Sequence, residues 1–223
     1  MTPYDIGQPL GLFFAVMGYA LAPFLLLPLL IVALGESAAR VARPAIDLVD
    51  RMALAFEALA RWCLLVMAFG MLATVVLRYA FGQSLTKLTE GVLYAHAIGF
   101  LLAAPAALLR DAHVRVDIIY GSLSDRGKAV VNLLGYTLFA APVLLMLLAM
   151  AGPVVDLAWR IGERSPETDG LPLVFLLKTA IPVFAAALLA QAMAQACRAA
   201  LVIRGLTPAT PPPEGLPQGE GAA

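Results

Sequence analysis

Charge is scarce in this chain. Only 13% of its 223 residues are Asp, Glu, Lys or Arg, against about a quarter in soluble domains. Cysteine and histidine are scarcer still, two of each, which excludes a disulfide scaffold and an ordinary zinc site. Fifteen basic residues balance fifteen acidic ones, so no net charge points to nucleic acid or to an acidic substrate. No glycine-rich phosphate cradle, nucleophile elbow or HExxH motif occurs. No catalytic residue, substrate-binding residue, metal ligand or cofactor is therefore expected, and the chain reads as a non-enzyme. What it has in abundance is apolar surface: 61% of the residues are hydrophobic and the mean hydropathy is +0.88. A soluble fold of this size leaves too much of its area exposed to hide that much, so the expected surroundings are a lipid bilayer.

Five stretches are free of charged residues. They run from Ile6 to Gly35 (30 residues), Trp62 to Leu77 (16), Gly91 to Leu109 (19), Ala129 to Val155 (27) and Thr179 to Cys197 (19). A membrane helix needs about 20 apolar residues, and the 16-residue run is bracketed by Arg61 and Arg78, whose long stems reach either interface. None of the runs alternates as a barrel strand would. The expectation is an all-α polytopic membrane protein. It has four core transmembrane helices over 62–205 and one extra N-terminal transmembrane helix within 1–37. A signal peptide is the alternative for 1–37, but Met1 to Gln8 holds no Lys or Arg, whereas signal peptides open with positive charge. Ten Lys and Arg fall on one side of the helices and five on the other. By the positive-inside rule the N-terminus and the loops 78–90 and 156–178 face outward, and the C-terminus is cytoplasmic.

Residues 38–61 mix charged with apolar side chains and read as an amphipathic interfacial helix, or equally a helical linker, with Pro44 suited to a first helical position. A second interfacial segment runs from Asp111 to Tyr120, and Ser124 is placed to cap the helix that follows. The tail 206–223 holds five Pro and three Gly in eighteen residues and is expected to be disordered. Gly91, Ala95, Gly99, Ala103 and Ala107 recur at every fourth position, a spacing that lets another helix approach closely. His96 is the one ionisable residue deep within a run. It has no second histidine at matching depth, so a packed residue is favoured over a haem ligand. Gln191 and Gln195, one turn apart, are placed to bond a neighbouring helix.

One ordered set of landmarks carries a resemblance. It comprises Arg78-Tyr79-x-Phe81-Gly82-x-Ser84, Glu90, then Leu109-Arg110-x-x-His113-Val114-Arg115-Val116-Asp117, and Leu123-Ser124-x-Arg126. Downstream come Ser165-Pro166-Glu167, Gly170-Leu171-Pro172 and Lys178-x-x-Ile181-Pro182. From Arg51 to Arg204 this resembles the small membrane subunit (Q-type) of tripartite ATP-independent periplasmic (TRAP) transporters. It is most similar to the branch that handles 2-oxo acids, mannitol and chloroaromatic acids. Where family members often carry a Trp and paired acidic residues, this chain has Lys87-Leu88-Thr89-Glu90-Gly91 and keeps one acid.

The resemblance implies a non-catalytic subunit in the bacterial inner membrane. Its partners would be a large elevator-type membrane subunit, which carries sodium and substrate, and a periplasmic substrate-binding protein that delivers an organic acid. The small subunit would brace the first and help to dock the second. Partner-contact candidates are then Arg78, Glu90, Trp159, Arg160, Ser165 and Pro166 on the outward side, Arg110, His113, Arg115 and Asp117 on the inward side, and Lys178 at the start of the last helix. A membrane anchor of a respiratory or redox complex is the alternative, and an absorbance spectrum separates the two.

Overall fold

The computed structural model describes residues 24–113 and 120–207, and among these every regular element is helical. Helix α1 spans Phe24–Leu34, α2 Glu36–Phe81 and α3 Thr86–Leu109. Helix α4, Asp125–Leu134, runs through a π-helical turn, Gly135–Ala140, into α5, Ala141–Ile161. Helix α6 is Val174–Ile203. Four of these are long and apolar enough to cross a membrane: α2, α3, the continuous α4–α5 rod and α6. They are the four core helices the charge-free runs predict. Of the fifth, N-terminal run only Phe24 to Gly35 are described, with Phe24–Leu34 helical; the rest lies outside the described residues.

Residues 38–61 do not form a separate helix. They continue without a break into the first core span, making α2 a single helix of 46 residues. The sequence explains this, because no Gly or Pro interrupts it between Pro44 and Gly70. Pro44 therefore lies inside α2 instead of opening it. At 1.5 Å per residue the helix is about 69 Å long, more than twice a hydrocarbon core of about 30 Å. Its charged first half thus extends beyond the apolar stretch. Gly82, in the left-handed region at φ 66°, ends it with an N–H bond to the Leu77 carbonyl. The Ser124 cap is formed: its Oγ accepts the Gly127 N–H at 3.3 Å.

Helix α6 is the hub. Its buried Ala194, Cys197, Ala200 and Leu201 pack against Leu27 and Ile31 of α1 and Ala38, Ala39, Ala42 and Ile46 of α2. Leu189, Ala192, Met193 and Ala196, on its next face, meet Ala129, Leu133, Ala141 and Leu144 of α4 and α5. Half of these side chains are alanine, so the backbones approach closely and dispersion contacts replace the hydrophobic drive that lipid does not offer. Between α1 and α2, Gly35 sits at φ 63°, and a Cβ there would lie 2.9 Å from the Arg204 guanidinium.

Candidate functional site

The small-residue seam of α3 faces α2. A Cβ on Gly99 would lie 2.9 Å from the Cβ of Cys63 and 3.5 Å from the Ala60 carbonyl oxygen, so glycine is what allows the approach. A turn or two further along, Gly70 of α2 sits against Val92 of α3. At Gly99 the seam's partner is therefore α2 of the same chain, whereas a Cβ on Gly91 would meet Leu171 at 3.9 Å. Gly99 is buried, and Gly91, Ala95, Ala103 and Ala107 are half-buried along the same helix.

Polar contacts tie the helices at both poles of the bundle. At the pole that carries Arg110 and Arg204, Arg198 of α6 pairs with Asp50 of α2, whose other oxygen accepts from the Gln191 amide at 3.2 Å. Gln195 donates to the Leu108 and Leu109 carbonyls at 3.0 and 3.3 Å, and so satisfies the open end of α3. Its own carbonyl accepts from Arg198 at 3.3 Å. Arg110 reaches back to Glu57 of α2, which also takes Arg61 at 2.8 Å. The Glu57 carboxylate raises the Arg110 pKa by accepting its hydrogen bond, so the guanidinium stays charged. His113 lies exposed past this helix end, while Arg115 and Asp117 lie outside the described residues.

The opposite pole carries the short turn 82–85 and the loop 162–173. Here Glu90, one turn into α3, holds the loop with both carboxylate oxygens. Oε1 accepts the Ser165 hydroxyl, and Oε2 accepts the Leu171 N–H at 2.6 Å. The loop closes on itself as well: the Ser165 N–H bonds the Leu171 carbonyl at 3.1 Å, and Gly170 N–H bonds the Glu167 carbonyl at 3.0 Å. At its stem, Lys178 of α6 pairs with both oxygens of Glu163 at 2.6 and 2.7 Å. The Trp159 indole N–H donates to the Thr179 hydroxyl at 2.8 Å, and its ring meets Phe175 edge-on at 4.6 Å. Arg160 pairs with Asp156 one turn before it at 2.6 Å. Pro166 is exposed at the loop tip and Arg78 is exposed in the last turn of α2, a favourable place for a cation at a helix C-terminus.

Of the predicted partner-contact residues, the loop pole thus brings together Glu90, Ser165, Trp159, Arg160 and Lys178, and Arg78 stands apart from them. Sequence reading missed Glu163, the acid that holds Lys178. It also missed that Asp50 and Glu57 point at other helices. The signal was present: Ala39, Ala42, Ile46, Asp50, Ala53, Glu57 and Ala60 fall at intervals of three and four, one stripe of an α-helix. His96 is exposed on α3, and among the described residues no group of three or more His, Cys, Asp or Glu could hold a metal ion.

No curated protein and no solved structure matches the chain. The family model described as "Tripartite ATP-independent periplasmic transporters, DctQ component" matches residues 67–202, more than half of the chain and all of the core from mid-α2 to the end of α6. That family is a transporter component and not an enzyme family. Four apolar helices and this match agree, and the chain belongs to the DctQ family, the small membrane permease subunits of TRAP transporters.

Proposed function

We propose that this subunit braces the large elevator-type membrane subunit of a TRAP transporter and docks a soluble substrate-binding protein, in sodium-coupled uptake of an organic acid. The loop pole then faces the periplasm and the pole with Arg110 and Arg204 the cytoplasm, a reading supported by the ten-to-five distribution of Lys and Arg. Of the substrates of the branch it resembles, 2-oxo acids and chloroaromatic acids fit an organic-acid system, and none of this chain's residues is assigned to touch them.

The observation that carries the bracing role is the exposed face of α3 and α2. His96 is exposed midway along α3, between Leu93 and Phe100, which are 58% and 71% exposed on the same stripe. An imidazole in hydrocarbon is unfavourable, and intramembrane ionisable residues face protein or water. A helix of the large subunit supplies the hydrogen-bond partner that lipid lacks. Trp62 and Phe69 of α2, 68% and 69% exposed, give the neighbouring helix a broad apolar surface of the same kind.

The test is to place a tag on the C-terminus, extract native membranes in mild detergent and identify what co-purifies. A large polytopic membrane protein in fixed ratio supports the proposal. A solitary protein across several mild detergents, or a haem-bearing partner, contradicts it.

A further inference from the structure

We infer that Glu90 is a positioning residue that holds the 165–171 segment in a preformed shape. The tip it holds out, Arg164, Pro166, Glu167, Thr168 and Asp169, is the surface that the soluble binding protein reads. This rests on the docking role proposed above and names the residues that perform it.

Glu90 is poorly suited to touch a partner, because both its carboxylate oxygens are taken by the loop. The two groups it holds, the Ser165 hydroxyl and the Leu171 N–H, bracket tip residues 166–169, with Arg164 adjoining the bracket, and are joined to each other by the Ser165 N–H to Leu171 carbonyl bond. Ser165 Oγ also accepts the Glu167 N–H at 3.1 Å, so one hydroxyl links the clamp to the first residues of the tip. Gly170 completes the enclosure. A Cβ there would run into the Ser165 side chain and lie 2.9 Å from Glu90 Oε1, so the chain closes over the carboxylate only if this residue is glycine.

The tip is different in kind. Arg164, Pro166, Glu167, Thr168 and Asp169 are all exposed, and they offer one positive and two negative charges without a large apolar side chain. Such a surface fits a soluble protein that leaves and returns, since polar rims steer encounter and set orientation more than they hold a complex together. A clamped loop presents this pattern in one arrangement. A loose loop presents it only for a fraction of the time, and the apparent affinity falls by that fraction.

The experiment measures hydrogen exchange at residues 162–173 in the full chain assembled with its large subunit in nanodiscs. The same preparations are assayed for binding-protein affinity and for transport. Glu90→Ala is expected to speed exchange of the Ser165 and Leu171 amides by about tenfold or more and to weaken docking by a similar factor. The concentration of loaded binding protein that half-saturates uptake rises with it, and the maximal rate is kept. Glu90→Gln keeps an acceptor for the Leu171 N–H and restores most of the protection. Gly170→Ala loosens the same amides with Glu90 intact, which covers the case in which Glu90→Ala fails to assemble. Wild-type exchange in both Glu90→Ala and Gly170→Ala overturns the clamp. A loosened loop with unchanged affinity leaves the clamp standing and overturns the docking role of the tip.

Discussion

The two poles of this bundle are held together differently. Where α6 meets α1, the first half of α2 and α4, the joint is made of alanine faces in close contact, reinforced by the Asp50–Arg198 pair. At the loop pole, burial in α6 is confined to Pro182 before Ala185, and the helices are linked by Glu90, Glu163–Lys178 and Trp159–Thr179. Close-packed small residues make a joint that cannot shift without opening voids. Hydrogen bonds at a helix end can be exchanged for others, so under the docking role proposed above this pole is the one suited to a transient partner.

The largest effect should come from breaking the polar part of the packed joint. Arg198→Ala leaves Asp50 partly buried with only the Gln191 amide, and Asp50→Ala leaves Arg198 with only Gln195. Either is expected to lower stability by on the order of 3 kcal/mol, read as an earlier unfolding midpoint in detergent. The double substitution to an apolar pair is expected to recover much of the loss. Equal stability of the single variants and the wild type would show that alanine packing alone carries this joint.

Next come the glycines between α2 and α3. Gly99→Ala puts its Cβ against Cys63 Cβ, which is fixed to backbone, and overpacking of this kind costs roughly 1–3 kcal/mol. Gly70→Ala puts its Cβ 2.6 Å from a methyl of Val92, a buried β-branched side chain held to one rotamer in a helix, so a loss of the same order is expected there. Thermal unfolding unchanged in both variants would place the close approach elsewhere along the seam.

The smallest contrast separates two glutamines one turn apart. Gln195→Leu removes the donor that satisfies two carbonyls at the end of α3 and is expected to cost about 1 kcal/mol. The Gln191 carbonyl oxygen is buried and accepts no hydrogen bond among the described residues. Gln191→Leu loses one bond but also removes an unsatisfied group, so its effect should stay within about 0.5 kcal/mol. Matching losses for the two would assign Gln191 a fuller role than its single bond to Asp50.

The four core helices were legible because charge-free length decides what crosses lipid, and nothing competes with that rule. Residues 38–61, read as an interfacial helix or equally a helical linker, run on into the first core span as one helix. A mixed segment reads as interfacial when only its charge is counted, and the alanine stripe through Asp50 and Glu57 shows its face only against α6 and α3. The Gly91–Ala107 seam was legible as small spacing, but its partner α2 was not, since spacing names a close approach and not the helix that makes it. At the loop pole, Ser165, Glu90 and Lys178 stood out as residue types. Their pairing runs across 75 positions for Glu90–Ser165, a distance over which local sequence carries no register.

Whether the 164–169 tip meets a soluble binding protein is read most directly by photocrosslinking in living cells from a reactive residue placed at Thr168. A crosslink to one periplasmic binding protein is expected, strengthened by the transported acid and weakened by Glu90→Ala. Crosslinks only to membrane proteins or lipid from a correctly assembled complex would contradict that docking.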